Sequence, residues 1–160
     1  MLGGGGDFKH MIHVLDSGPL GLLSNPLANP DAVHCHEWLD ALIDNGHRVL
    51  TSDICDYEVR RELLRVGRPQ SIARLDDLMV QLDILPLNRR TMLRAAELWA
   101  DARRRGRPTA DPAALDADVI LAAQTQLFAE AILEPVVVVT TNARHLQQFV
   151  ATRRWQEITP

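Results

Sequence analysis

Lysine is almost absent. Lys9 is the only one among 17 basic residues, and it lies in the leading stretch MLGGGGDFKH. Everything after that stretch therefore lacks the lysine of a P-loop, of a Schiff-base enzyme or of a receiver domain's phosphate sensor. Cysteine is scarce too: Cys35 and Cys55 are the only two and form no CxxC, which excludes a disulfide framework. Aromatic residues make up 4% of the chain. Trp38, Trp99 and Trp155 are too scattered to suggest a base-stacking platform, so core or interface packing is expected of them. No apolar run approaches the length of a bilayer span, and no secretory core precedes a cleavage site, so the expected compartment is the cytoplasm. The net charge of -4 argues against a surface built to coat nucleic acid.

What is present suits one α/β domain. The 160 residues are 46% hydrophobic, enough for an ordinary core. Residues 1–10 read as an expression leader, because the run Gly3 to Gly6 cannot pack; Met11 is the expected native start, and residues 11–160 a single domain. Ile12 to Leu15 form a short apolar run broken by Asp16-Ser17-Gly18-Pro19, as expected of a buried strand with Asp16 at its carboxyl end. A helix from Pro19 to about Ser24 follows, then one over 32–44 capped by Asp31. Further strands are expected at 48–51, 83–86 and 136–139. Further helices are expected from Ser52 or Asp53 to Val66, from Pro69 to about Leu82, from Asn88 to near Gly106, over 116–133, and from Asn142 through Val150. An edge strand around Trp155 would complete the chain. Strands alternating with helices imply a parallel sheet, and ligands of such sheets bind beyond the strands' carboxyl ends.

Acids stand where that geometry wants them. Asp16 follows the first strand. Glu58 and Glu62 lie four residues apart, on one helical face. Asp116 and Asp118 open the stretch before Ile120-Leu121-Ala122-Ala123, and Asn142 follows the last strong strand. Hard divalent cations take oxygen ligands, and magnesium takes only one or two protein carboxylates directly. Each residue also has a plainer role: Asp16 and Asn142 as helix caps, Glu62 as a solvated partner of arginine, and one of Asp116 and Asp118 as a complement to the helix dipole. His34-Cys35-His36 suggests a metal by residue type, but positions i and i+2 of a helix point apart.

In order, Leu15-Asp16-Ser17, then Tyr57 to Leu63, then Asp118 to Ala123, then Val139-Thr140-Thr141-Asn142 and Phe149 resemble the PIN domain family. Among its members they are most similar to small stand-alone VapC-type toxins. The resemblance implies a three-layer α/β/α sandwich around a central parallel sheet. It also implies a ribonuclease dependent on Mg2+ or Mn2+, acting on RNA as the toxin of a toxin–antitoxin pair. Carried onto this chain, it makes Asp16, Glu58 and Asp118 metal ligands and catalytic acids, with Asp116 competing or assisting. Asn142 falls where many members carry an Asp, so one well-held ion is expected. Ser17 and Thr140 match supporting hydroxyl positions. Arg103, Arg104, Arg105 and Arg107 form the densest basic run, either as phosphate contacts or as solvated cations at a helix carboxyl end. The resemblance further implies a cognate antitoxin and a homodimer. The alternative is a catalytically silent PIN-like module that binds RNA or protein. A haloacid dehalogenase-type phosphatase would want an Asp where Gly18 stands, and a dinucleotide fold would want a glycine-rich turn after the first strand.

Overall fold

Strand β1 (Ile12–Leu15) is buried at every residue, and β4 (Val136–Thr140) at every residue after Val136. Unbroken burial is what a parallel strand needs when helices cover both of its faces. The computed structural model describes residues 11–25, 29–106 and 112–160. The expected leader and Arg107 lie outside them. With β2 (Arg48–Ser52), β3 (Asp83–Leu85) and β5 (Thr152–Arg154) these strands form one sheet, ordered β3-β2-β1-β4-β5. All four pairings are parallel. Helices α1 (Ser17–Ser24), α2 (Pro30–Asp44), α3 (Asp53–Val66), α4 (Pro69–Gln81), α5 (Arg89–Arg104) and α6 (Pro112–Ile132) complete the three-layer α/β/α sandwich.

The topology positions the site. From β1 the chain steps outward to β2 and β3, then crosses back through α5 and α6 to β4 on the other side of β1. The strand order therefore reverses between β1 and β4, and a crevice opens beyond their carboxyl ends at such a reversal. The register sets Leu15 beside Val139, so Asp16 and Thr140 emerge together. The Asp16 N–H donates to the Val139 carbonyl at 2.8 Å, extending the pairing by one step.

Several boundaries differ from the sequence expectation, each for a local reason. Helix α1 begins at Ser17 rather than Pro19, because Asp16 accepts the Ser17 N–H and caps it. Asn29, not Asp31, caps α2, leaving Pro30 in the first turn where its missing N–H costs nothing. Helix α6 begins at Pro112, so the Pro- and Ala-rich stretch enters the helix and Asp116 and Asp118 sit past its first turn. No α-helix follows Asn142: turns and a 3-10 segment at Leu146–Gln148 replace it. The edge strand is Thr152–Arg154, and Trp155 begins a 3-10 turn. Other signals are met as written. Ser52 caps α3, Asn88 caps α5, and Gly67 ends α3 in the left-handed region at φ 70°.

One core spans the sheet, joining Ile12, Val14, Leu15, Leu50 and Val137 to Val139 with helical Leu20, Leu39 and Leu121. A smaller cluster of Ala95, Leu115, Val119 and Ala123 joins α5 to α6. Trp38 and Trp155 pack together, ring centroids 6.1 Å apart. Trp99 instead stays part-exposed under the Arg103 guanidinium, 5.1 Å from its ring.

Candidate metal and nuclease site

Asp16 is held in place before any ligand enters. One carboxylate oxygen accepts the Ser17 N–H at 2.8 Å. The other accepts the Thr140 hydroxyl at 2.8 Å. Thr140 is itself buried, and its Oγ1 also accepts the Asn142 N–H at 3.1 Å, so β4 and the turn after it fix Asp16 from the neighbouring strand. Asp16 is thus both a helix cap and a member of the acid cluster. Its capping role and its candidate ligand role coexist.

Helix α3 carries Glu58 to the same place, and α6 carries Asp118. Both side chains are half-buried. Burial raises the pKa of Asp16, while the hydrogen bonds from Thr140 and Ser17 pull it back. Glu58 is raised by burial and then by the charge of Asp16, with Arg61 and the Ser17 hydroxyl opposing. Asp118 is raised to about 7, first by burial, then by Asp16, then by Glu58. Of the three carboxylates, drawn from the end of β1, from α3 and from α6, Glu58 thus feels the charge of Asp16, and Asp118 feels both. Such mutual repulsion disfavours full ionisation unless a cation enters.

The floor of the cluster is Cys55, one turn before Glu58 on α3 and fully buried. Burial, and after it the charges of Asp16 and Glu58, hold its thiol well above the usual range, so it stays protonated. Gln124 of α6 also reaches the carboxyl ends of the strands. Its amide accepts the Ser52 hydroxyl and donates to the carbonyls of Leu85 at 3.4 Å and Pro86 at 3.0 Å. These bonds tie α6 to β2 and β3, and so set the angle at which α6 presents Asp118.

Gly18 lies against Thr141. A Cβ at Gly18 would stand 2.3 Å from the Thr141 Oγ1 and 3.0 Å from its Cβ. Only a glycine lets the first turn of α1 approach the loop after β4 so closely.

Other candidate residues fall elsewhere. Asp116 is exposed and lines an apolar cleft between α5 and α6 with Met92, Trp99 and Val119. Asn142 is exposed, and its side-chain oxygen accepts the Arg144 N–H at 3.1 Å, serving its own turn. Glu62 pairs with Arg65 at 2.8 Å. Arg104 and Arg105 both pair with Asp101 at 3.1 Å, and Arg103 covers Trp99. Arg60 ties α3 to α4 through Asp56 and Asp76. Arg61 lies over the Tyr57 ring, 5.0 Å from its centroid, and has no ion-pair partner among the described residues. It lines a groove of about 410 Å³ with Ser17, Gly18, Glu58 and Glu62.

Sequence reasoning passed over Cys55, Gln124 and Gly18. The helical period from Glu58 back to Cys55 offered a signal for the first. A glycine opening a helix hinted at the third. Gln124 had no signal beyond its place on the helix of Asp118.

The fold is that of proteins crystallised in VapBC complexes. VapBC2 from Rickettsia felis, bound to a DNA fragment from their promoter, aligns with a TM-score of 0.69 at 18% identity, over 91% of this chain and 99% of its own. VapBC-1 from nontypeable Haemophilus influenzae aligns at 0.63 and 19% identity, over 92% and 100%. VapBC-5 from Mycobacterium tuberculosis, a member of the VapBC family of toxin-antitoxin systems, aligns at 0.54 and 20% identity, over 89% and 95%. At these identities the likeness establishes the PIN-like fold. No family model matches the chain, and no curated protein sequence matches it significantly. Among the described residues no helix is long and apolar enough to cross a membrane.

Proposed function

We propose that this chain is a divalent-metal-dependent ribonuclease of the VapC type, the toxin of a toxin–antitoxin pair. The observation that carries the reading is the convergence of Asp16, Glu58 and Asp118 at the reversal of strand order, with each acid's pKa raised. Fold likeness to VapBC complexes over about nine-tenths of the chain supports the toxin assignment and a protein antitoxin as partner. We extend the proposal to a homodimer.

The donor set fits Mg2+ or Mn2+. All three groups are hard oxygen donors, and their shared repulsion is relieved by a cation. Among the described residues no group of three His, Cys, Asp or Glu side chains stands close enough together to hold a metal ion as they are placed. An ion here would therefore be held directly by one or two of the carboxylates and keep several waters. When bound, such an ion polarises a phosphoryl oxygen and lowers the pKa of a coordinated water.

The chain's own residues divide the remaining work. Asp16, fixed by Thr140 and Ser17, is the pre-set ligand. Asp118 and Glu58 close the site from the two helices. Without the ion Asp118 has a pKa of about 7, so it binds a proton near neutral pH that an entering cation displaces. Arg61, beside Glu58 and free of ion pairs among the described residues, is the contact for an RNA phosphate. It replaces Arg104 and Arg105 in that role, since Asp101 engages both.

The test is cleavage of a mixed RNA substrate by metal-free protein with and without added manganese, beside Asp16→Asn. Manganese-dependent cutting lost in the variant supports the proposal. RNA binding with no cutting under any metal would leave a silent binding module instead.

A further inference from the structure

A second pocket lies at the opposite end of β1 from the acids. Met11, His13, His47, Arg153, Glu157 and Ile158 line it, and its volume is about 200 Å³. His13 stands three residues before Asp16, about 10 Å away along the strand. His13 is 2% exposed, between the buried apolar residues Ile12 and Val14 of β1. The Nδ1 atoms of both His13 and His47 are buried and have no hydrogen-bond partner. The two rings meet edge-on, centroids 5.4 Å apart and planes at 82°.

A buried imidazole nitrogen without a partner calls for a donor, a water or an ion. Burial, then the neighbouring His47, lower the His13 pKa to about 4, so that ring is neutral at physiological pH. A neutral ring is the form that ligates a metal. Two imidazoles holding one tetrahedral ion through nitrogens about 2.1 Å from it bring their ring centres to about 5 Å. The observed separation is close to that.

We infer that His13 and His47 form a two-histidine site for a late first-row divalent ion of the zinc class, separate from the acid cluster. Ligand chemistry divides the two sites: imidazole suits zinc, nickel and copper, whereas carboxylate and water suit magnesium and manganese. Glu157 is the carboxylate on the pocket wall, but its oxygens are taken by the Arg154 side chain and N–H. Water therefore completes the coordination. Two protein ligands make the site exchangeable rather than permanent. Its structural effect is to clasp the turn before β2 to β1, since His47 sits in that turn and His13 in the strand.

The experiment is zinc titration of chelator-treated full-length protein, read by imidazole nitrogen NMR. Wild type, Asp16→Asn and His47→Asn are compared. His47 is only half-buried, so its replacement is compatible with folding where loss of His13 is less so. The expected result is that zinc moves the ring signals of His13 and His47. The same ring shifts should appear in Asp16→Asn, and zinc should reach these rings at least about tenfold more weakly in His47→Asn. Excess magnesium should not compete. Unmoved His13 and His47 signals overturn the inference. So does a zinc response that survives in His47→Asn, or one confined to His34, His36 or His145. None of these outcomes bears on the nuclease proposal, whose acids lie at the other end of the strand.

Discussion

The two ends of β1 bury ionisable groups to opposite effect. At the carboxyl end, desolvation pushes Asp16, Glu58 and Asp118 upward, and neighbouring acid charge adds to the shift at Glu58 and Asp118. At the amino end, desolvation pushes His13 downward. The same physical cost drives acids and bases alike toward neutrality. What differs is support. Asp16 has a hydroxyl and an N–H to favour its charge, while a backbone hydrogen bond at Arg48 does too little for His13 to offset its burial and the nearby His47. A parallel sheet explains the placement. Loops and helix starts gather at the carboxyl ends and supply donors there, whereas His13 is enclosed within a strand.

The comparison breaks most sharply at Asp16. Asp16→Asn keeps the size and the cap but removes the charge. It should lower manganese-dependent RNA cleavage by at least about a hundredfold, on the scale of losing a principal electrostatic group. It should leave the zinc response at the other end untouched. Undiminished cleavage would remove Asp16 from the chemistry.

Next in size is the pH response of metal-free protein. Asp118 has a folded pKa of about 7 against an ordinary 3.8. The folded state therefore binds its proton more tightly than the unfolded state does. Stability is full at low pH and declines as pH rises from near 4 to about 7. Every tenfold difference in proton affinity between the two states is worth about 1.4 kcal/mol, so the loss amounts to a few kcal/mol. Denaturation midpoints across that range should show the decline, flattened in Asp118→Asn and offset by added manganese. A rise over the same window would contradict the repulsive cluster.

Packing around the acids gives two smaller effects. Gly18→Ala should cost about 1–3 kcal/mol by overpacking against Thr141, and Thr141→Gly in the same chain should restore much of it. Gln124→Leu strips partners from Ser52 and two carbonyls, at about 1–3 kcal/mol by urea denaturation. The smallest effect belongs to Glu62, whose pair with Arg65 is largely exposed. Glu62→Ala should shift stability by under about 0.5 kcal/mol. It should leave cleavage close to wild type, in contrast to Glu58→Gln four residues earlier.

That contrast marks how far the sequence could be read. Helical spacing put Glu58 and Glu62 on one face and could not rank them. The resemblance ranked them, and the packing of α3 against α1 and α6 leaves Glu58 half-buried and Glu62 exposed. The strands were legible, because continuous apolar runs such as Val136 to Val139 announce burial on both faces, but their order in the sheet was not. The start of α6 was not, since Pro112 can open a helix as readily as it can end a loop. Asp118 was favoured over Asp116 by the resemblance alone. Two residues apart on α6 they face different ways, Asp118 to Asp16 and Asp116 to the cleft beside Trp99. Asn142 was read as a place beside the acids, and its side chain serves Arg144 instead. Contacts between distant segments, such as Gln124 with Ser52 or Gly18 with Thr141, leave no periodic trace in a single chain.

The most direct measurement is a crystal of the full-length protein soaked in manganese, with the ion located by its anomalous scattering. The account predicts one strong peak within coordination distance of the Asp16 carboxylate, reached also by Asp118 or Glu58, directly or through water. A soak that fills other positions while leaving Asp16 without an ion would contradict it.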